Sequence, residues 1–246
     1  MNFLFNPRYP LALLVLFLIY AIGWAIHPLD IKDWMLENAL TALFLAFLIV
    51  THRRFPLSNI SYTCIFVFLC LHTIGAHYTY SLVPYDRWTT EVSGRSLNSL
   101  LGWQRNNFDR VVHFSFGFLL AYPIREVFLR VAGARGFWGY YLPLDLTISF
   151  SAVYELIEWT AAVLLGGDLG QAYVGSQGDP WDAQKDMALA SLGALLSMCA
   201  VAMINWKFDR KFGAEFRESF MVKEHVGPLG EQKLRELLHA AEAKEK

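Results

Sequence analysis

Six apolar runs, each close to the length of a bilayer-crossing helix, constrain this chain more than any other feature. A helix needs roughly 20 mostly apolar residues to traverse the hydrocarbon core. Such runs fall at about 10–26, 34–50, 60–80, 111–131, 141–165 and 187–206, the second being the shortest and the fifth the most polar. Composition agrees: 55% of the residues are hydrophobic and 17% charged, against roughly 45–50% and about 25% in soluble domains. The net charge of −1 gives no basis for a nucleic-acid partner. Cys64, Cys70 and Cys199 all lie inside apolar runs, which argues against a disulfide framework. The first run follows Arg8 and resembles a signal peptide ending at "AIG". Its long body and the five runs after it favour an uncleaved helix.

The expected fold is all-α, a polytopic transmembrane bundle of about six helices over 1–206 with a longer loop at 81–110. A polar tail follows at 207–246, where Leu234, Leu237, Leu238 and Ala241 recur at helical spacing and predict a short amphipathic helix. Arg8, Arg53, Arg54, Arg130, Arg135, Lys207, Arg210 and Lys211 share one side if the spans alternate, which places both termini in the cytoplasm. The opposite, periplasmic side receives 81–110 and the segment before the last run.

The polar residues concentrate on that opposite side. His72 and His77 sit late in the third run, Asp109 and His113 open the fourth, Glu155 and Glu158 come late in the fifth, and Asp179, Asp182 and Asp186 precede the sixth. Asp109 and His113 are i,i+4, as are Asp182 and Asp186, so each pair shares a helix face. Thr147, Ser151, Glu155 and Glu158 form one polar stripe, and Asp186 leads into the small residues Ala190, Gly193 and Ser197, a seam that permits close helix contact. His72 and His77 are i,i+5, about 140° apart, so at most one can point at a common centre. Ionisable groups within a membrane cost several kcal/mol unless paired, and usually mark function. A divalent metal would satisfy the crowded carboxylates and imidazoles together, and mixed His and Asp/Glu ligands suit zinc, manganese or iron. A hydrogen-bonded polar core is the structural alternative. Trp88, Trp103, Trp159 and Trp181 fit membrane-interface anchors, and Arg125 and Glu126 with Asp145 fit a structural ion pair toward the cytoplasmic half.

The blocks "LHTIGAHYTYSLVP", "RNNFDRVVHFSFG", "YELIEW" and "VGSQGDPWDAQKDM" resemble, as a set, the YjdF-type family of bacterial inner-membrane proteins over residues from about 10 to 206. The resemblance implies a polytopic inner-membrane protein and no particular reaction. More distantly, "DRVVHF", the "YELIEW" glutamates and "DPWDAQKDMALASLG" are similar in order to VanZ-like membrane proteins, linked with glycopeptide-antibiotic resistance. The chain departs from that pattern in its second glutamate, its His72/His77 segment and the lack of the glutamine that follows the VanZ-like glutamate. A common architecture is implied, a common substrate is not.

The leading functional expectation is a metal-dependent membrane hydrolase or transferase acting on a lipid or lipid-linked headgroup. His77, Asp109, His113, Glu155 and Glu158 are the candidate ligands. Glu158, Asp182 and Asp186 are candidate catalytic groups, completing the shell or acting as general base toward a metal-bound water. Arg105, Arg110 and Lys185 would hold an anionic headgroup, with His72 and Asp179 in supporting positions. Two other classes fit the same residues: a proton- or cation-coupled transporter or channel, and a non-catalytic component of an envelope complex. Transport prefers polar residues through both leaflets and an internal repeat, and neither is evident here.

Overall fold

The structure is a computed structural model that describes residues 8–221 and 231–243, among which the regular secondary structure is helical and no strand occurs. Six long helices run back and forth: α1 (Arg8–Trp24), α2 (Ile31–His52), α3 (Asn59–His77), α6 (Phe108–Val131), α7 (Trp138–Leu165) and α9 (Asp182–Phe208). Between α3 and α6 the short α4 (Tyr85–Ser93) and α5 (Leu97–Leu101) cover one end, and α8 (Gly167–Val174) links α7 to α9. Five of the long helices are long and apolar enough to cross a membrane. The described part of α1, 17 residues, is shorter, about 25 Å at 1.5 Å per residue.

Local signals start the helices. The Asp30 carboxylate accepts hydrogen bonds from the backbone N–H of Lys32 and Asp33, and the Ser58 hydroxyl accepts one from Ser61. The capped α2 begins at Ile31, earlier than its apolar run, which adds Asp33 and the start of a polar face to the helix. Apolar side chains such as Leu43, Val50, Leu164 and Trp206 stand on the outside, where lipid is the solvent.

The central contact is α6 on α9. Gly117 faces the Ala190 carbonyl and Gly193 faces the Phe114 carbonyl, and a Cβ at either glycine would overlap backbone atoms of the other helix. Ala190 and Ala194 are fully buried beside them. The backbones therefore touch, as small-residue membrane interfaces allow. One turn from this crossing, toward the covered end, are His113 on α6 and Asp186 on α9.

At the opposite end the ion pair differs from the sequence reading. Glu126 pairs with Arg130 at 2.7 Å and accepts hydrogen bonds from Ser58 and Ser61, while Arg125 lies over the Tyr140 ring. Adjacent residues diverge by about 100° around a helix, so Arg125 and Glu126 serve different neighbours. Here α10 (Phe212–Glu218) closes on the α6–α7 connector: Trp138 Nε1 donates to the Ser219 carbonyl, and Phe137 meets Phe216 and Phe220. The sequence-predicted tail helix is α11 (Glu231–Glu242), with Leu234, Leu237 and Leu238 exposed along it.

Candidate functional site

The α6–α9 crossing assembles the site. Asp109, His113 and Asp186 each offer a ligand atom within 4.8 Å of the others. His113 Nε2 lies 3.4 Å from Asp109 Oδ1 and 3.7 Å from Glu155 Oε1. The i,i+4 spacing sets the first distance, and the α7 stripe supplies the second. Thr147, Ser151, Glu155 and Glu158 are all buried along that stripe, as its spacing predicts. Glu158 is buried one turn further along the same face of α7. Asp186 Oδ1 and Glu155 Oε1 are shielded from solvent and accept no hydrogen bond. Orphaned carboxylate oxygens in a buried site are costly and ask for a cation or a proton.

A ring of basic residues closes the rim. Arg105 grips Asp182 in a bidentate pair, Nη1 to Oδ1 at 2.8 Å and Nη2 to Oδ2 at 3.1 Å. Arg110 reaches Asp179 at 2.7 Å and Asp182 at 3.1 Å, and Lys185 reaches Asp179 at 2.6 Å. Lys185 and the Trp181 N–H hold the Asp179 carboxyl down at about 2. The loop is itself pinned: Arg105 Nη1 donates to the Ser176 carbonyl, Asn106 Nδ2 to the Val83 carbonyl, and the Asn107 N–H to the Tyr85 hydroxyl. Asp179, Asp182, Arg105, Arg110 and Lys185 thus form an ion-paired lid, with Asp182 facing the guanidinium groups and Asp186 facing the cluster below.

The histidines of α3 divide. His77 Nδ1 donates to the Trp24 carbonyl at 2.7 Å, and its ring packs edge-on against Trp24 and Tyr78. It closes the α1–α3 end and is not brought to Asp109 and His113. His72 is buried beside the cluster instead. Its Nε2 meets the Glu37 carbonyl at 3.2 Å and can only donate there, so Nδ1 accepts from the Tyr80 hydroxyl. Tyr80 is aimed by the left-handed turn at Thr79 and Tyr80, and its ring lies where a Cβ on Gly75 would go.

Sequence reasoning missed Asp33, Glu37, Tyr80, Tyr154 and Tyr173. Glu37 is buried and accepts from the Tyr154 hydroxyl at 3.2 Å, while both oxygens of the buried Asp33 accept no hydrogen bond. The Tyr154 ring stands edge-on to His113. Burial, reinforced by Glu37, raises the Tyr173 hydroxyl above its usual titration range. The signal for the acids was available: Asp33 and Glu37 are i,i+4 at the start of an otherwise apolar helix.

A cavity of about 870 Å³ opens beside the cluster. Glu37, His72, Asp109 and His113 line one end of it, and the rest of its wall is overwhelmingly apolar.

The family model described as "Predicted membrane protein (DUF2238)" matches residues 9–207, which enclose every residue of the cluster. The chain belongs to this family. It is also 35% identical over 201 residues to "Inner membrane protein YjdF" of Escherichia coli (strain K12), covering 81% of this chain and 90% of that protein. No solved structure matches. The chain is a multi-pass protein of the bacterial inner membrane.

Proposed function

We propose that this protein is a metal-dependent enzyme that acts on the polar end of a membrane lipid. The observation that carries the reading is the meeting of Asp109, His113 and Asp186 within 4.8 Å, at a spot where buried oxygens of Asp186 and Glu155 accept no hydrogen bond. One imidazole and two carboxylates are a ligand set suited to zinc, manganese or iron. A bound ion would lower the pKa of a coordinated water and polarise a carbonyl or phosphoryl oxygen. Glu155, 3.7 Å from His113, would serve as the general base, with Glu158 one turn on to share the charge. In this reading Asp182 holds the rim arginines in place rather than entering the shell, and Arg105, Arg110 and Lys185 present cations to an anionic headgroup.

A transport role draws less support. The acids and histidines gather at one end of the cavity, and its far end is lined by residues such as Phe55, Phe128 and Val131. A coupled pathway needs polar groups through both leaflets.

The test is metal analysis of purified wild-type protein beside Glu155→Gln/Glu158→Gln and Asp186→Asn variants. The expected result is close to one divalent ion per wild-type chain, falling at least about tenfold in Asp186→Asn. Equal and negligible metal in all three proteins contradicts the proposal.

A further inference from the structure

The cavity beside the cluster extends well beyond the polar end. On α2 its lining runs from Glu37 to Thr51 and on α6 from Asp109 to Val131. The stretch from Glu37 to Thr51 alone is about 21 Å long at 1.5 Å per residue. One leaflet contributes about half of a hydrocarbon core of roughly 30 Å, so the groove passes the bilayer midplane. Its floor is closed by Ile65, Leu69 and Leu120, all buried. Its long side is open. Helix α2 packs on α3 and α8 and joins α7 at the polar end through the Tyr154–Glu37 hydrogen bond, and beyond it the lips, Leu40 and Phe47 on α2 and Phe150 and Val153 on α7, are exposed.

We propose that this groove is the tail-binding half of the lipid site. The hydrocarbon tail enters sideways between α2 and α7 and lies along α6, and the polar end reaches Asp109, His113 and Asp186. The surroundings of the mouth are hydrocarbon, and only the closed polar end offers groups that recognise anything else. A lipid tail with an oxygen-rich terminus is the occupant that matches both. The depth selects within that class. Along α6 the lining from Asp109 to Val131 is about 33 Å long, so an ordinary glycerophospholipid tail, about 15 Å or one leaflet long, leaves its far part empty, whereas a long isoprenoid chain fills it. The substrate class assigned is therefore a polyisoprenoid carrier lipid. This assignment rests on the cluster being the lipid-processing site.

Native mass spectrometry and lipid extraction of the purified full chain test it, with metal content measured on the same samples. Leu40→Trp at the lip and Val127→Trp on the exposed part of the α6 wall each place a large ring in the groove and replace no residue of the buried floor. Leu43→Trp, on the exposed face of α2 and outside the lining, is the control. The expected result is a retained polyisoprenoid lipid in wild type and Leu43→Trp, reduced at least about tenfold in the two groove variants, with metal unchanged in all four. Three outcomes overturn the assignment: no lipid retained by wild type, equal lipid in groove and control variants, or a retained lipid that is solely glycerophospholipid. A chain that keeps its lipid but holds no metal leaves the groove standing and removes the catalytic reading. Metal without groove-dependent lipid does the reverse.

Discussion

Asp186 shows why single residues in this protein are informative. Its carboxylate is buried, with one oxygen accepting no hydrogen bond, while Asp182, one turn away, is held by two guanidiniums. Neutralising Asp186, or the Arg105 that holds Asp182, should therefore give different signatures. Asp186→Asn should lower metal content with little loss of fold. Arg105→Gln leaves Asp182 short of a bidentate partner and should destabilise the protein by about 2–3 kcal/mol, below the 3–5 typical of a fully buried pair because the rim is partly wet. Thermal unfolding in detergent measures this. Asp179 gives a pH signature. Its folded pKa lies at about 2, below the usual value, so its stabilising contribution is present above the unfolded pKa and is lost as pH falls through the folded one. The melting-temperature gap between wild type and Asp179→Asn should accordingly narrow between about pH 4 and pH 2, and a gap that widens there contradicts the ion-paired lid. At this scale the sequence was legible where spacing alone fixes a face: Asp109 with His113, and Glu155 with the rest of its stripe. It was not legible for His72 and His77. Their 140° separation shows that one must turn away, but only the Trp24 carbonyl and the Tyr80 hydroxyl decide which.

Among elements, the α6–α9 contact positions the Asp109, His113 and Asp186 cluster. Gly117 and Gly193 let two backbones meet, and that approach brings Asp186 to His113. Gly117→Val should push the helices apart, cost about 1–3 kcal/mol by overpacking, and reduce bound metal although no ligand has been removed. Gly23→Val, at an α1 position with open space around it, is the control. Loss of metal in both variants, or in neither, contradicts a positioning role for the crossing. The seam was visible in the run of small residues after Asp186. The extent of α2 was not, because a hydropathy boundary at residue 34 ignores the Asp30 cap, which starts the helix earlier and turns Asp33 and Glu37 inward.

The whole molecule is polar inside at one end and apolar along the groove that leaves it. A bundle of apolar helices could be read directly from the runs, since hydrocarbon tolerates little else. The groove could not, because it arises where α2 packs on α3 and α8 and touches α7 at the polar end, through Tyr154 and Glu37, rather than along its length. On the proposed function, one ion sits where α6 meets α9. The most direct measurement is an anomalous difference map at the metal absorption edge from crystals of the full chain. A single peak at coordination distance from Asp109, His113 and Asp186 is the expected result. A map with no peak there, in crystals grown with zinc, manganese or iron present, would contradict it.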